Sequence, residues 1–180
     1  IKISSETSMI KASLLILLLF ITVQLSRQGV HIYSGTFEIM NVYSGKFLDV
    51  AGASQEEHAQ VNQFQRTHGL NQRWLLYYED WMNNEAVYSL INANSGKALD
   101  NPGSSKVEGT IMQQFTYNGG NNQLWSVEFI GDGSMYVRNL VSGLYLSLQY
   151  LSNDDSIPTV QWRWTKNNYQ KWYFIPSEKH

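Results

Sequence analysis

Gln113-Gln114-Phe115-Thr116-Tyr117-Asn118-Gly119-Gly120-Asn121-Asn122-Gln123-Leu124-Trp125 closes on a Gln-x-Trp tripeptide that occurs twice more, as Gln72-Arg73-Trp74 and Gln170-Lys171-Trp172. The three glutamines stand 51 and 47 residues apart. A second element precedes each tripeptide by about thirty residues: Phe37 to Asp49, Tyr88 to Asp100 and Met135 to Ser147. Its asparagines, Asn41, Asn92 and Asn139, keep the same two offsets. Two independent landmarks on one period indicate one structural unit built three times.

Within each unit apolar and polar residues alternate, as at Phe37/Ile39 and Met135/Val137. That period of two belongs to half-buried strands. Ser44-Gly45, Ser95-Gly96 and Ser142-Gly143 supply turns, after which Leu48, Leu99 and Leu146 resume a strand. A polar stretch then leads to a short strand ending in Phe64, Phe115 or Trp162, and a last strand follows Gln-x-Trp. This predicts four strands per repeat, twelve in all, over residues 35–176. No stretch there carries a helical period. A closed all-β fold of three ~50-residue repeats with pseudo-threefold symmetry is a β-trefoil; propellers generally need four or more blades.

The 180 residues suffice for one domain with a sizeable core. A formal charge of −2 without a basic stripe argues against nucleic acid as a partner. Met9-Ile10-Lys11 opens an almost wholly aliphatic run, Ala12 to Leu25, ended by Ser26-Arg27-Gln28. That layout predicts a secretory signal peptide over residues 1–26, with 1–8 read as upstream translated sequence. The run is short for a membrane span, which takes roughly 20 residues, so no span is expected after cleavage and the localisation is read as secreted and extracellular. The chain has no cysteine, which excludes thiol chemistry and a disulfide scaffold. No Asn-x-Ser/Thr sequon occurs.

The Ser-Gly-x-x-Leu-Asp turn, the mid-repeat glutamine followed by an aromatic, and Asn-Gln-x-Trp together resemble the ricin B-chain-type β-trefoil lectins. The resemblance covers residues 35 to about 176. It implies a non-enzymatic sugar-binding protein whose ligand is a glycan or glycoconjugate, with galactose or N-acetylgalactosamine as the first expectation and no cofactor. In this family an aspartate after the Ser-Gly turn accepts bonds from two adjacent hydroxyls, an aromatic ring stacks on the sugar, and an amide near Gln-x-Trp completes the set. A carboxylate offers charge-assisted bonds, and a ring offers apolar area at low entropic cost. The resemblance assigns Asp49, Asn62, Phe64, Asn71 and Gln72 to a pocket in repeat one. It assigns Asp100, Gln113, Phe115, Asn122 and Gln123 to a pocket in repeat two. In repeat three Ser147 replaces the aspartate and Tyr169 the asparagine, so this repeat reads as structural. Gln161 with Trp162 or Trp164 is what it could still offer for stacking.

Plainer roles compete. Trp74, Trp125 and Trp172 read as core. Gln72, Gln123 and Gln170 read mainly as local hydrogen-bonding residues, and Asp49 and Asp100 could cap turns. Phe64 and Phe115 could be buried. His31, His58, His68 and His180 lack metal-ligand spacing. Glu79-Asp80 and Asp154-Asp155 read as solvated turns between repeats rather than as a glycosidase pair. The alternative function is a trefoil acting through protein contacts, as a protease inhibitor or signalling ligand, insensitive to free sugar. Oligomeric state is not legible in the sequence.

Overall fold

A computed structural model of the chain describes residues 35–82 and 85–177. The predicted signal peptide lies outside the described residues. Twelve strands are present: β1 (Gly35–Asn41), β2 (Phe47–Val50), β3 (Val61–Phe64), β4 (Arg73–Met82), β5 (Glu85–Asn92), β6 (Ala98–Asp100), β7 (Gln113–Phe115), β8 (Leu124–Phe129), β9 (Met135–Asn139), β10 (Tyr145–Leu148), β11 (Ile157–Trp162) and β12 (Trp172–Pro176). The only helical segments among the described residues are three-residue 3-10 turns. None is long and apolar enough to cross a membrane.

Six strands close on themselves. β1 pairs antiparallel with β4, β4 with β5, β5 with β8, β8 with β9, β9 with β12, and β12 with β1. Closure removes the unpaired edges an open sheet would expose. The other six strands form three hairpins, β2–β3, β6–β7 and β10–β11. Bridges between them, β11 to β3, Gln60 to Gln113 and Ile111 to Val160, draw the hairpins together.

The core follows the repeat. Trp74, Trp125 and Trp172 are fully buried, as are Ile39, Leu90 and Val137 and Leu48, Leu99 and Leu146. Each indole Nε1 donates to the carbonyl of the leucine 26 residues earlier: Trp74 to Leu48 (3.0 Å), Trp125 to Leu99 (3.0 Å), Trp172 to Leu146 (3.1 Å). The bond lets the largest apolar side chain enter the core with its one donor satisfied.

Buried amides fix the chain between these strands. Asn41 Oδ1 accepts from the backbone N–H of Tyr43 and Ser44, holding the Ser-Gly turn, while its Nδ2 reaches Tyr169 O (3.1 Å). Asn92 and Asn139 repeat this toward Asn71 O and Asn122 O. Gly45, Gly96 and Gly143 occupy the left-handed region at the end of that turn (φ 69°, 68° and 70°), where a Cβ is disfavoured.

One acidic pair departs from the expectation of solvated turns. Glu79 and Asp80 lie inside β4, at a bulge where the register against β5 shifts, and Glu79 accepts from Ser89 Oγ (2.6 Å). Here the β4–β5 hairpin runs longer than the repeat pattern implied, because Tyr77, Tyr78 and Trp81 continue the strand. Asp154 is exposed and Asp155 begins a turn, as expected; Asp155 also accepts from Gln65 N (2.8 Å) and Lys46 Nζ (2.5 Å).

Candidate glycan pockets

β2 ends with Asp49 facing Asn62 of β3, and β6 ends with Asp100 facing Gln113 of β7. The strand pairing therefore sets each carboxylate opposite an amide. Folding of the chain after β3 and β7 brings a second amide pair to the same place. Asn71 Nδ2 and Gln72 Nε2 donate to Asp49 Oδ2 at 2.8 and 3.0 Å. Asn122 Nδ2 donates to Asp100 Oδ2 and Gln113 Nε2 to Asp100 Oδ1, both at 2.8 Å. With its amide nitrogen turned toward Asp49, Asn62 also donates to Oδ1 (3.3 Å) and to the backbone oxygen (3.2 Å). An ionised carboxylate has about four acceptor sites, so neither aspartate is saturated by these donors.

Both carboxyls are almost wholly buried, at 3% and 2% exposed. Burial pushes Asp49 up to about 6, against the opposing pull of Gln72 and Asn71; Asp155 nearby adds to the rise. Burial also raises Asp100, opposed by Gln113, Gln123, Asn122 and the nearby His58. Phe64 and Phe115 are half-buried, each following its pocket's amide by two positions.

Gln72, Gln123 and Gln170 serve the backbone as well. Each closes the loop that ends in Gln-x-Trp: Oε1 accepts from Thr67, Asn118 or Thr165 N–H, and Nε2 donates to Gln65, Thr116 or Arg163 O. Gln72 Nε2 in addition donates to Asp49 Oδ2 at 3.0 Å, and Gln123 lies close enough to Asp100 to favour its charged form.

In repeat three the carboxylate and both amides are gone. Ser147 is buried, donates to Leu148 O and faces Val160. The Tyr169 hydroxyl engages Thr165 and Asn167 instead of the pocket. The register puts Trp162, not Trp164, level with Phe64 and Phe115 across from β10. Gln161 offers no stacking surface: it is fully buried, and its Nε2 donates to Ser105 O and Val107 O. Trp164 packs instead with Tyr136 and Tyr145, ring centroids 5.3 and 5.0 Å away.

The sequence reading missed that Gln161 has two counterparts. Gln63 holds Ser152 O and Asp154 O, and Gln114 holds Ser54 O and Glu56 O. The signal was available, since 63, 114 and 161 keep the 51 and 47 offsets. It also missed Gly69 and Gly120. Their φ values are ordinary, −67° and −68°, so space and not conformation demands glycine. A Cβ would stand 2.5 Å from Asn71 Oδ1 and 2.7 Å from Asn122 Oδ1. Each amide is pinned by its aspartate and by Val50 O or Asn101 O. In repeat three the position is Asn167, and the asparagine it would strike has become Tyr169.

Among the described residues no group of three or more His, Cys, Asp or Glu could hold a metal.

The fold has parallels in known proteins. A comparison with curated protein sequences finds no match. Among solved structures the chain is similar to ThreeFoil, a designed 3-fold symmetric protein, at 32% identity and a TM-score of 0.75 over 79% of this chain and 99% of that one. It is similar to an exo-β-1,3-galactanase from Clostridium thermocellum at 29% identity and a TM-score of 0.76, over 82% of this chain but 31% of that one. A ricin B-like lectin of Macrolepiota procera, solved in complex with lactose, shares the fold at 20% identity and a TM-score of 0.66, covering 82% of this chain and all of that one. The family described as ricin-type beta-trefoil lectin domain-like matches residues 24–84, 70–162 and 121–180, and the chain belongs to it.

Proposed function

We propose that this protein is a secreted, non-enzymatic lectin that binds glycans through the pockets of repeats one and two. The observation that carries the reading is the doubled constellation of a buried carboxylate, converging amides and a half-buried ring. Asp49 with Asn62, Phe64, Asn71 and Gln72 recurs as Asp100 with Gln113, Phe115, Asn122 and Gln123. Placing an ionisable group in so dry a setting works against folding to the extent that its amide hydrogen bonds do not offset the lost hydration, and its spare acceptor sites suit adjacent sugar hydroxyls. A galactose-type sugar is the ligand we infer. Support comes from relatives: the Macrolepiota lectin is described with lactose, and an earthworm R-type lectin with N-acetylgalactosamine. We also infer that the three repeats are related by a pseudo-threefold axis, supported by the indole, asparagine and glutamine bonds that recur on one pair of offsets.

A glycan array with the purified chain, competed by free galactose and N-acetylgalactosamine, tests the reading. Asp49→Ala and Asp100→Ala should each weaken their own pocket roughly ten- to a hundredfold, as expected for loss of a charged hydrogen-bond acceptor. On a glycan-coated surface the double variant should lose far more than either single one, because two weak sites on one body act by avidity. Unchanged glycan binding by the folded double variant would refute the assignment. Activity that free sugar never competes would favour a protein-contact role.

A further inference from the structure

We propose that His58, a residue of repeat one, is a positioning residue for the pocket of repeat two. The inference rests on reading that pocket as a glycan site. The loop that carries His58 is fixed against β7 from several directions. His58 N donates to Gln114 O (3.0 Å), Gln114 N donates to Ala59 O (2.9 Å), and Gln114 Nε2 holds Ser54 O and Glu56 O. Glu57 accepts from Thr116 N (2.9 Å) and faces Lys97 Nζ at 3.5 Å. The backbone at His58 is left-handed, φ 63°, an uncommon setting for a residue with a Cβ.

From this anchored backbone the imidazole does two things. Its ring lies against Phe115, centroids 5.0 Å apart and tilted by 47°. Its Nδ1 stands 3.1 Å from Gln113 Oε1. Gln113 Nε2 in turn donates to Asp100 Oδ1 at 2.8 Å. Because the amide nitrogen must face the carboxylate, the amide oxygen faces His58, and Nδ1 is the donor. A directed chain runs from imidazole to amide to carboxylate, spanning two repeats. It holds the glutamine in one rotamer and one amide orientation and fixes one flank of the aromatic ring before a ligand arrives. Such preorganisation spares the ordering cost of binding.

The equivalent positions lack this device. Gly109 has the same left-handed backbone and the same bond, to Gln161 O, but a Cβ there would meet only Trp162, at 3.4 Å, and Val160 offers no amide. Ser156 bonds Gln63 O in the same way and faces pocket one, whose amide residue is the shorter Asn62. The imidazole–glutamine pair therefore belongs to repeat two, and the two pockets are not copies in chemistry.

The test uses the Asp49→Ala protein, which leaves pocket two to bind alone, titrated with free galactose and with N-acetylgalactosamine by NMR. His58→Phe keeps a ring against Phe115 and removes the donor. His58→Asn keeps a donor near the Nδ1 position and removes the ring; asparagine also tolerates the left-handed backbone. In the sugar-free state His58→Phe should shift the Gln113 side-chain amide resonances, and it should weaken binding roughly three- to tenfold, the effect of one neutral hydrogen bond. His58→Asn should keep those resonances near their original positions and restore affinity to within about twofold. If sugar binds but His58→Phe moves neither the resonances nor the affinity, or if His58→Asn is as weak as His58→Phe, the His58 assignment falls and the glycan reading stands. If neither sugar binds pocket two with His58 in place, the glycan reading falls and takes the positioning role with it.

Discussion

At Asp49 the proposed binding role is set against stability. Its carboxyl titrates at about 6 in the folded protein, raised by burial from an ordinary 3.8. Between those values the folded state holds a proton that the unfolded state has released. This group therefore stabilises the fold as pH falls from 7 toward 4, and that contribution is lost as pH rises through about 6. Asp132 acts oppositely, lowered to about 2 by Ser134 and Lys171, so its contribution is present above about 4 and lost on further acidification. Sugar binding at pocket one needs the ionised Asp49 and should weaken as pH falls through about 6. Asp49→Asn keeps an oxygen for Asn71 and Gln72 but carries no charge. It should melt at the same or higher temperature at pH 7.5, lose the stabilisation seen between pH 7 and 5, and abolish binding at pocket one. Thermal melts at both pH values, with sugar titration at pH 7.5, check all three outcomes.

At the scale of elements, the pockets depend on loops that the hairpins hold from behind. Gly120 leaves room for Asn122, so Gly120→Ala should displace the amide from Asp100 and weaken pocket two at least tenfold while leaving pocket one unchanged; titrating each pocket in the matching aspartate variant reads this out. Gln114 never touches the carboxylate, yet it carries the loop bearing Glu57 and His58. Gln114→Ala leaves Ser54 O and Glu56 O without their donor, which should cost about 1–3 kcal/mol and open the loop to limited proteolysis near residues 54–58. Pocket two should weaken with it. Cleavage no faster than in the unaltered protein would show that the clamp contributes nothing. His58 and Asp100 are brought together only by this loop-to-strand clamp, and the spacing of residues gave no hint of it.

Over the whole molecule the repeats hold one another. Gln63 grips the loop of repeat three, Gln114 that of repeat one and Gln161 that of repeat two. Asp155, Glu57 and Glu108 run the same way, each accepting a backbone N–H from the strand end of the next repeat. The barrel is closed by pairings such as β4–β5 and β8–β9, which join one repeat to the next. Unfolding should accordingly be a single cooperative transition, and a peptide of residues 85–132 alone should show no stable β signal by circular dichroism. Trp125→Ala should lower stability of the entire domain by about 3–5 kcal/mol, a large share of the roughly 5–15 kcal/mol typical of a domain, and should impair both pockets together. Two separated melting transitions in that variant would contradict this cooperative closure.

The periodicity of Gln-x-Trp and of Asn41, Asn92 and Asn139 was enough to predict the strand content, the buried tryptophans and the all-β closed fold. Those features follow from local alternation and from large apolar residues that must leave water wherever the chain goes. That Asp49 meets Asn71 and Asp100 meets Asn122 was legible too, because each pair shares a repeat and a spacing. What tertiary structure alone decided is which repeat each residue faces. Gln63 and Gln114 stand next to the pocket amides Asn62 and Gln113 in sequence, and Gln161 next to Val160, but the neighbouring residue on an antiparallel strand points to the opposite face, and from there they bond the loop of another repeat. For the same reason His58 reads as an isolated histidine in repeat one, while its ring and Nδ1 belong to a pocket whose glutamine lies 55 residues away. A repeating sequence states which positions are equivalent; contact across repeat boundaries is fixed only when the barrel closes.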